Sequence, residues 1–158
     1  MKKLLLSIFF TLIYISVSSA CFGPELFVAY EKHNTPSFYL ANLLDVYIRE
    51  KTGINVSIKE ATKDDIPLLI KKEAIDIIVF DVQADKTTRF KFSTEKNINI
   101  FYRTKIEEDL RFKSLMEALN NLSVRLSQKD IKELFSLIEN KGKIKRTIKE
   151  FLIERGLW

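Results

Sequence analysis

Residues 25–60, ELFVAYEKHNTPSFYLANLLDVYIREKTGINVSIKE, decide the fold. Glu25 to Tyr30 is a short apolar run rich in β-formers and reads as a strand buried on both faces. The polar turn Glu31 to Pro36 follows. From Ser37 to Lys51, Leu40, Leu43, Leu44, Tyr47 and Ile48 recur at helical spacing, and Gly53 fits the left-handed position just past a helix end. Asn55 to Glu60 alternates apolar and polar residues, as a strand with one buried face does. The hydrophobic period thus switches from strand to helix and back, which spells a β-α-β unit.

The pattern continues outward. Asp64 or Asp65 can cap a second helix, with Pro67 tolerated in its first turn and Leu68, Leu69 and Ile70 expected on its inner side. Ala74 to Phe80, AIDIIVF, is again a nearly continuous apolar strand. Strands alternating with helices of this length imply parallel pairing through right-handed crossovers, with the first strand central. Residues 82–96 are polar and mixed, a connector with room for a short strand around Arg89 to Phe92, and Asn97 to Tyr102 reads as a returning strand. Only helices follow. Ile106, Leu110, Leu115, Leu119 and Leu122 mark one; Ser127 with Asp130 caps the next, which carries Ile131, Leu134, Phe135 and Ile138; Ile144, Ile148, Phe151 and Leu152 mark the last. The expected class is α/β: a three-layer lobe with a mainly parallel sheet, a returning strand and carboxyl-terminal helices.

The amino end reads differently. Met1-Lys2-Lys3 is a basic n-region, Leu4 to Val17 an uncharged apolar segment, and Ser18-Ser19-Ala20 a run of small residues, the layout of a secretory signal peptide over 1–20. Cys21, the single cysteine, then stands at the first mature position, and the stretch resembles a bacterial lipoprotein lipobox. The expectation is an exported protein anchored to a membrane through lipidated Cys21, at the periplasm or cell surface; ordinary cleavage would leave it periplasmic or secreted with a free thiol. Removing 20 residues from 158 leaves 138, one domain's worth, and removing two Lys lowers the formal charge from +5 to +3. So small an excess argues against a nucleic-acid binder. Four Gly, three Pro and no repeat point to a compact chain.

From Asn97 onward the sequence resembles the carboxyl end of substrate-binding proteins of the glycine betaine, choline and proline ABC-transporter family. The counterparts are Arg103 after the returning strand, Leu126-Ser127 to Leu134, and Phe151-Leu152 to Gly156-Leu157. The amino half is similar to that family's first lobe, in FVAYEKHNTPSFYLANLL and in Glu73-Ala74-Ile75-Asp76-Ile77. The resemblance implies a type II periplasmic-binding fold and capture of a small zwitterionic or quaternary-ammonium solute for a transporter permease. Two departures stand out. The family inserts a second lobe between the third strand and the returning one, where this chain has only the connector, so the resemblance implies a single lobe. The family's pattern after its I-D-I strand is also not reproduced by Ile78-Val79-Phe80-Asp81.

In open α/β sheets ligands lie beyond the carboxyl ends of the strands. That selects Tyr30, His33, Asn34, Thr35 and Ser37 after the first strand, and Phe80 and Asp81 after the third. Asn34, Thr35 and Ser37 can hold a carboxylate at a helix start or simply cap that helix. Tyr30, Phe38, Tyr39 and Phe80 can face a cation or build core. His33 is the single histidine, so no histidine metal cluster or His–Cys relay can be assembled, and no cofactor, metal or catalytic residue is expected. The acidic clusters Asp64-Asp65 and Glu107-Glu108-Asp109 fit helix starts, and the basic turn Lys141 to Arg146 reads as a solvated loop or a contact for anionic lipid or an acidic partner. Two functions remain: a solute-binding-like protein, or an envelope interaction module that kept the fold, lost the ligand, and meets an envelope protein or a second copy of itself.

Overall fold

The computed structural model describes residues 25–80, 88–93, 99–103, 106 and 108–158. The expected signal peptide, Cys21 and Asp81 lie outside the described residues, as does most of the connector. Five strands form one sheet in the order β2-β1-β3-β5-β4: β1 (Glu25–Glu31), β2 (Asn55–Ala61), β3 (Ile77–Phe80), β4 (Thr88–Ser93) and β5 (Asn99–Arg103). β1 runs parallel to both β2 and β3, with Tyr30 opposite Glu60 and Val79. β5 returns antiparallel beside β3, and β4 closes the edge antiparallel to β5 with an irregularity between Phe90 and Phe92. The sheet is therefore mixed: β1 is central to its three parallel strands, as expected, and β3 is the middle strand of all five. Two antiparallel strands add to the far side of β3, a placement that crossover rules for parallel units do not address.

The helices are α1 (Thr35–Thr52), α2 (Ile66–Lys71), α3 (Lys113–Arg125), α4 (Gln128–Lys141) and α5 (Ile144–Glu154), with a 3₁₀ turn at Leu110–Phe112 before α3. Strand alternation sorts the side chains into two cores. Leu26, Val28, Ile77, Val79, Ile100 and Tyr102 meet α1 and the carboxyl-terminal helices in the large core. Ala29, Ile78, Phe80 and Phe101 point to the opposite face and meet Ile66, Leu69 and Ile70 of α2. Three layers result, as the sequence reading expects.

α1 starts at an Asn34 cap, whose side-chain oxygen accepts from the Ser37 N–H at 3.1 Å, and ends at Gly53 with φ 71°. α4 starts with the capping box of Ser127 and Asp130. Asp130 accepts from the Ser127 hydroxyl and amide, which holds its carboxyl below the usual range. α2 departs from expectation in two respects. Asp65 makes no side-chain cap and instead closes a turn back to Thr62, and Leu68 points outward at 51% exposure while Leu69 and Ile70 are half-buried. One and a half turns of helix can turn only part of an apolar run inward. Buried Asp45 joins α1 to α5 through the Lys145 ammonium at 2.7 Å, with Arg49 on its other side. Among the described residues no helix is long and apolar enough to cross a membrane.

Candidate functional site

The turn from β1 to α1 builds the site. After Glu31 the chain reverses through His33, whose backbone sits at φ 59°, a left-handed conformation that Gly, Asn, Asp and His adopt more readily than other residues. The Asn34 N–H closes this turn on the Glu31 carbonyl at 3.1 Å, and the Asn34 side-chain amide donates to the Glu31 carboxylate at 2.8 Å. The result is an open cleft of about 420 Å³ at the carboxyl ends of β1 and β2, lined by Tyr30, His33, Asn34, Thr35, Phe38 and Glu60.

One wall is aromatic. The Tyr30 and Phe38 rings lie 5.1 Å apart at 54°, and the row continues through Tyr39 to Phe135 of α4, whose ring meets Tyr39 edge-on at 5.5 Å. The other wall is ionic. The Tyr30 hydroxyl donates to the Glu60 carboxylate at 3.2 Å, and the Lys32 ammonium lies 3.3 Å from the same carboxylate. Burial, followed by the Glu60 charge and its hydrogen bond, pushes the Tyr30 phenol above its ordinary value, so it stays a protonated donor at neutral pH. The lining sets the Glu60 carboxylate, which already takes the Tyr30 hydroxyl and the Lys32 ammonium, in one cleft with the Tyr30 and Phe38 rings and with Thr35 at the start of α1.

Of the residues selected by sequence, Tyr30, His33, Asn34 and Thr35 come together at this cleft. Ser37 and Phe80 do not. Ser37 is fully buried; its hydroxyl accepts from the Glu31 N–H at 2.9 Å and donates to the Val79 carbonyl, bridging β1 to β3. Phe80 is also fully buried, on the α2 face of the sheet, and its ring offers no face to the cleft. Glu60 and Lys32 were not selected by the sequence reading. Glu60 ends an alternating strand and becomes a cleft residue only because the β1–β2 register sets it opposite Tyr30. The carboxyl end of the second strand in a β-α-β unit is the signal that marks it. Among the described residues no group of three or more His, Cys, Asp or Glu is placed to hold a metal ion.

No family model matches the sequence, and no curated protein matches it. Among solved structures the chain is similar to the arginine-bound form of domain 1 from TmArgBP, with a TM-score of 0.46 and 17% identity over 65% of this chain and 93% of that one. A point mutant of the same arginine-bound domain gives a TM-score of 0.46 at 15% identity, over 69% of this chain and 92% of that one. A mutant of full-length BenM gives a TM-score of 0.34 at 11% identity, over 56% of this chain and 30% of that one.

Proposed function

We propose that this protein is a solute-binding-like module and not an enzyme, a single lobe that takes a small zwitterion in the cleft between β1, β2 and the start of α1. The observation that carries the reading is the lining of that cleft. A cationic group placed between Glu60 and the Tyr30 and Phe38 rings gains both a charge partner and a ring quadrupole. The opposite end of a zwitterion then meets Thr35 and the amino end of α1. The open shape leaves one side of such a ligand in water, so the affinity is expected to be modest unless a partner covers it.

The test is calorimetric titration of the full chain with amino acids and betaines. At least one is expected to bind, and Glu60→Gln is expected to weaken it roughly tenfold, the effect of about 1.4 kcal/mol. A clean negative across both classes overturns the solute reading. It leaves the envelope interaction module, a reading favoured by the one-sided exposure of the cleft.

Export and anchoring belong to the same proposal. Lipidation of Cys21 would hold the cleft at a membrane, beside a transporter permease or another envelope protein. Mass spectrometry of the mature amino terminus is expected to show Cys21 acylated as the first residue; an unmodified thiol there removes the anchor.

A further inference from the structure

The basic turn between α4 and α5 lies apart from the cleft at Tyr30 and Glu60. Residues 141–149, KGKIKRTIK, contain five Lys or Arg and no acid. Gly142, at φ 66°, ends α4 and folds the chain sharply into α5, so these charges are gathered around one corner. Three of them, Lys141, Lys143 and Arg146, line an open cleft of about 380 Å³ together with Thr147 and Glu150.

The charge there is only partly balanced. Glu150 is the single acid of the lining and is shared, with Lys141 at 3.2 Å and Arg146 at 2.9 Å. Lys143 makes no ion pair among the described residues, and Lys145 turns away to Asp45. Three cations thus face one carboxylate. Among the described residues no side chain caps the start of α5, and no acid stands in its first turn, which leaves the first amides open to an incoming anion.

We propose that this cleft binds a phosphate group, held by the Arg146 guanidinium fork and the Lys141 and Lys143 ammonium groups. A guanidinium suits two phosphate oxygens at once, and the flexible ammonium groups reach the remaining ones. The cleft is larger than a phosphate ion, so it suits a phosphate carried on a larger molecule, either a soluble phosphate ester or a phospholipid headgroup. An acidic residue on a partner protein would carry less charge and fewer acceptors into the same space.

Two arms separate the sources. In the first, inorganic phosphate is titrated into the full chain while amide resonances are followed by NMR, with shifts expected to centre on residues 141–150. In the second, the chain is sedimented with vesicles of phosphatidylglycerol or of phosphatidylcholine alone. Lys143→Ala, at an exposed position, is expected to weaken whichever binding occurs roughly fivefold, and the double variant Lys141→Ala/Arg146→Ala to abolish it. Lys113→Ala, at an exposed position on α3, is the charge-matched control and is expected to leave binding unchanged. The amino-terminal segment is common to all variants, so a difference between them belongs to the cleft. Variant-sensitive phosphate shifts assign a soluble phosphate, and variant-sensitive binding to phosphatidylglycerol vesicles alone assigns a headgroup; either supports the site. No variant-sensitive binding in either arm, or equal weakening by Lys113→Ala, overturns it.

Discussion

Replacing Asp76 with alanine is expected to destabilise the fold by about 3 kcal/mol, because one buried carboxylate joins three strands. Asp76 immediately precedes β3 and is 7% exposed. One of its oxygens accepts from the Phe27 N–H of β1 at 2.9 Å, and the other accepts from the Arg103 guanidinium of β5 at 2.6 Å. Its backbone repeats the pattern, donating to the Phe27 carbonyl and accepting from the Arg103 N–H. Alanine keeps the backbone bonds and removes the others, leaving the Phe27 N–H without its acceptor and Arg103 without its close counter-charge. The Arg103 Nε atom is already buried without a partner among the described residues, so the guanidinium relies on its terminal nitrogens. The figure sits at the low end for a broken buried pair, since Arg103 is 16% exposed and Glu73 stands 3.8 Å away. Asp76→Asn keeps an oxygen for Phe27 and is expected to lose less. Urea unfolding with an unchanged slope measures both; a loss below about 1 kcal/mol for alanine would mean that the strands hold together without the carboxylate.

Ser37→Ala is the second large effect, about 2 kcal/mol by the same measurement. The Lys32 N–H bonds to the Ala61 carbonyl of β2, which leaves the neighbouring Glu31 N–H turned toward β3. The β1–β3 register ends at Tyr30 opposite Val79, so no β3 residue is paired with Glu31. The Ser37 hydroxyl accepts from this donor and itself donates a hydrogen bond to the Val79 carbonyl. Removing it leaves the part-buried Glu31 N–H without this acceptor and the buried Val79 carbonyl without this donor. This also distinguishes two roles for the residue. A ligand-holding serine would cost affinity and spare stability, whereas the bridging serine costs stability first. Stability within about 0.5 kcal/mol of the parent chain would return Ser37 to the ligand.

Much of the fold is legible because its signals are local. The Leu40, Leu43, Leu44, Tyr47, Ile48 stripe, the left-handed Gly53 and the Ser127–Asp130 box each operate within one or two turns of helix, so a reader of the chain sees what the folding chain sees. The β-α-β-α-β order follows from alternating periods, and with it the position of the cleft at Tyr30, His33, Asn34 and Thr35. The helix around Ile106 to Leu122 is less regular than its spacing suggests: Leu110 falls in the 3₁₀ turn at 87% exposure, while Ile106 and Leu115 are buried.

The sequence by itself determined which segments alternate as strands and helices, and where the first turn would open, since periodicity and caps depend on neighbours along the chain. Only the tertiary structure decided which polar and aromatic groups remain available there. Phe80 is spent because the two-residue strand period turns it toward α2. Ser37 is spent on Val79, a partner 42 residues away, and Glu60 joins the cleft through a pairing 30 residues long. Pairings at such separations are set by register and packing, and no local pattern in the chain encodes them.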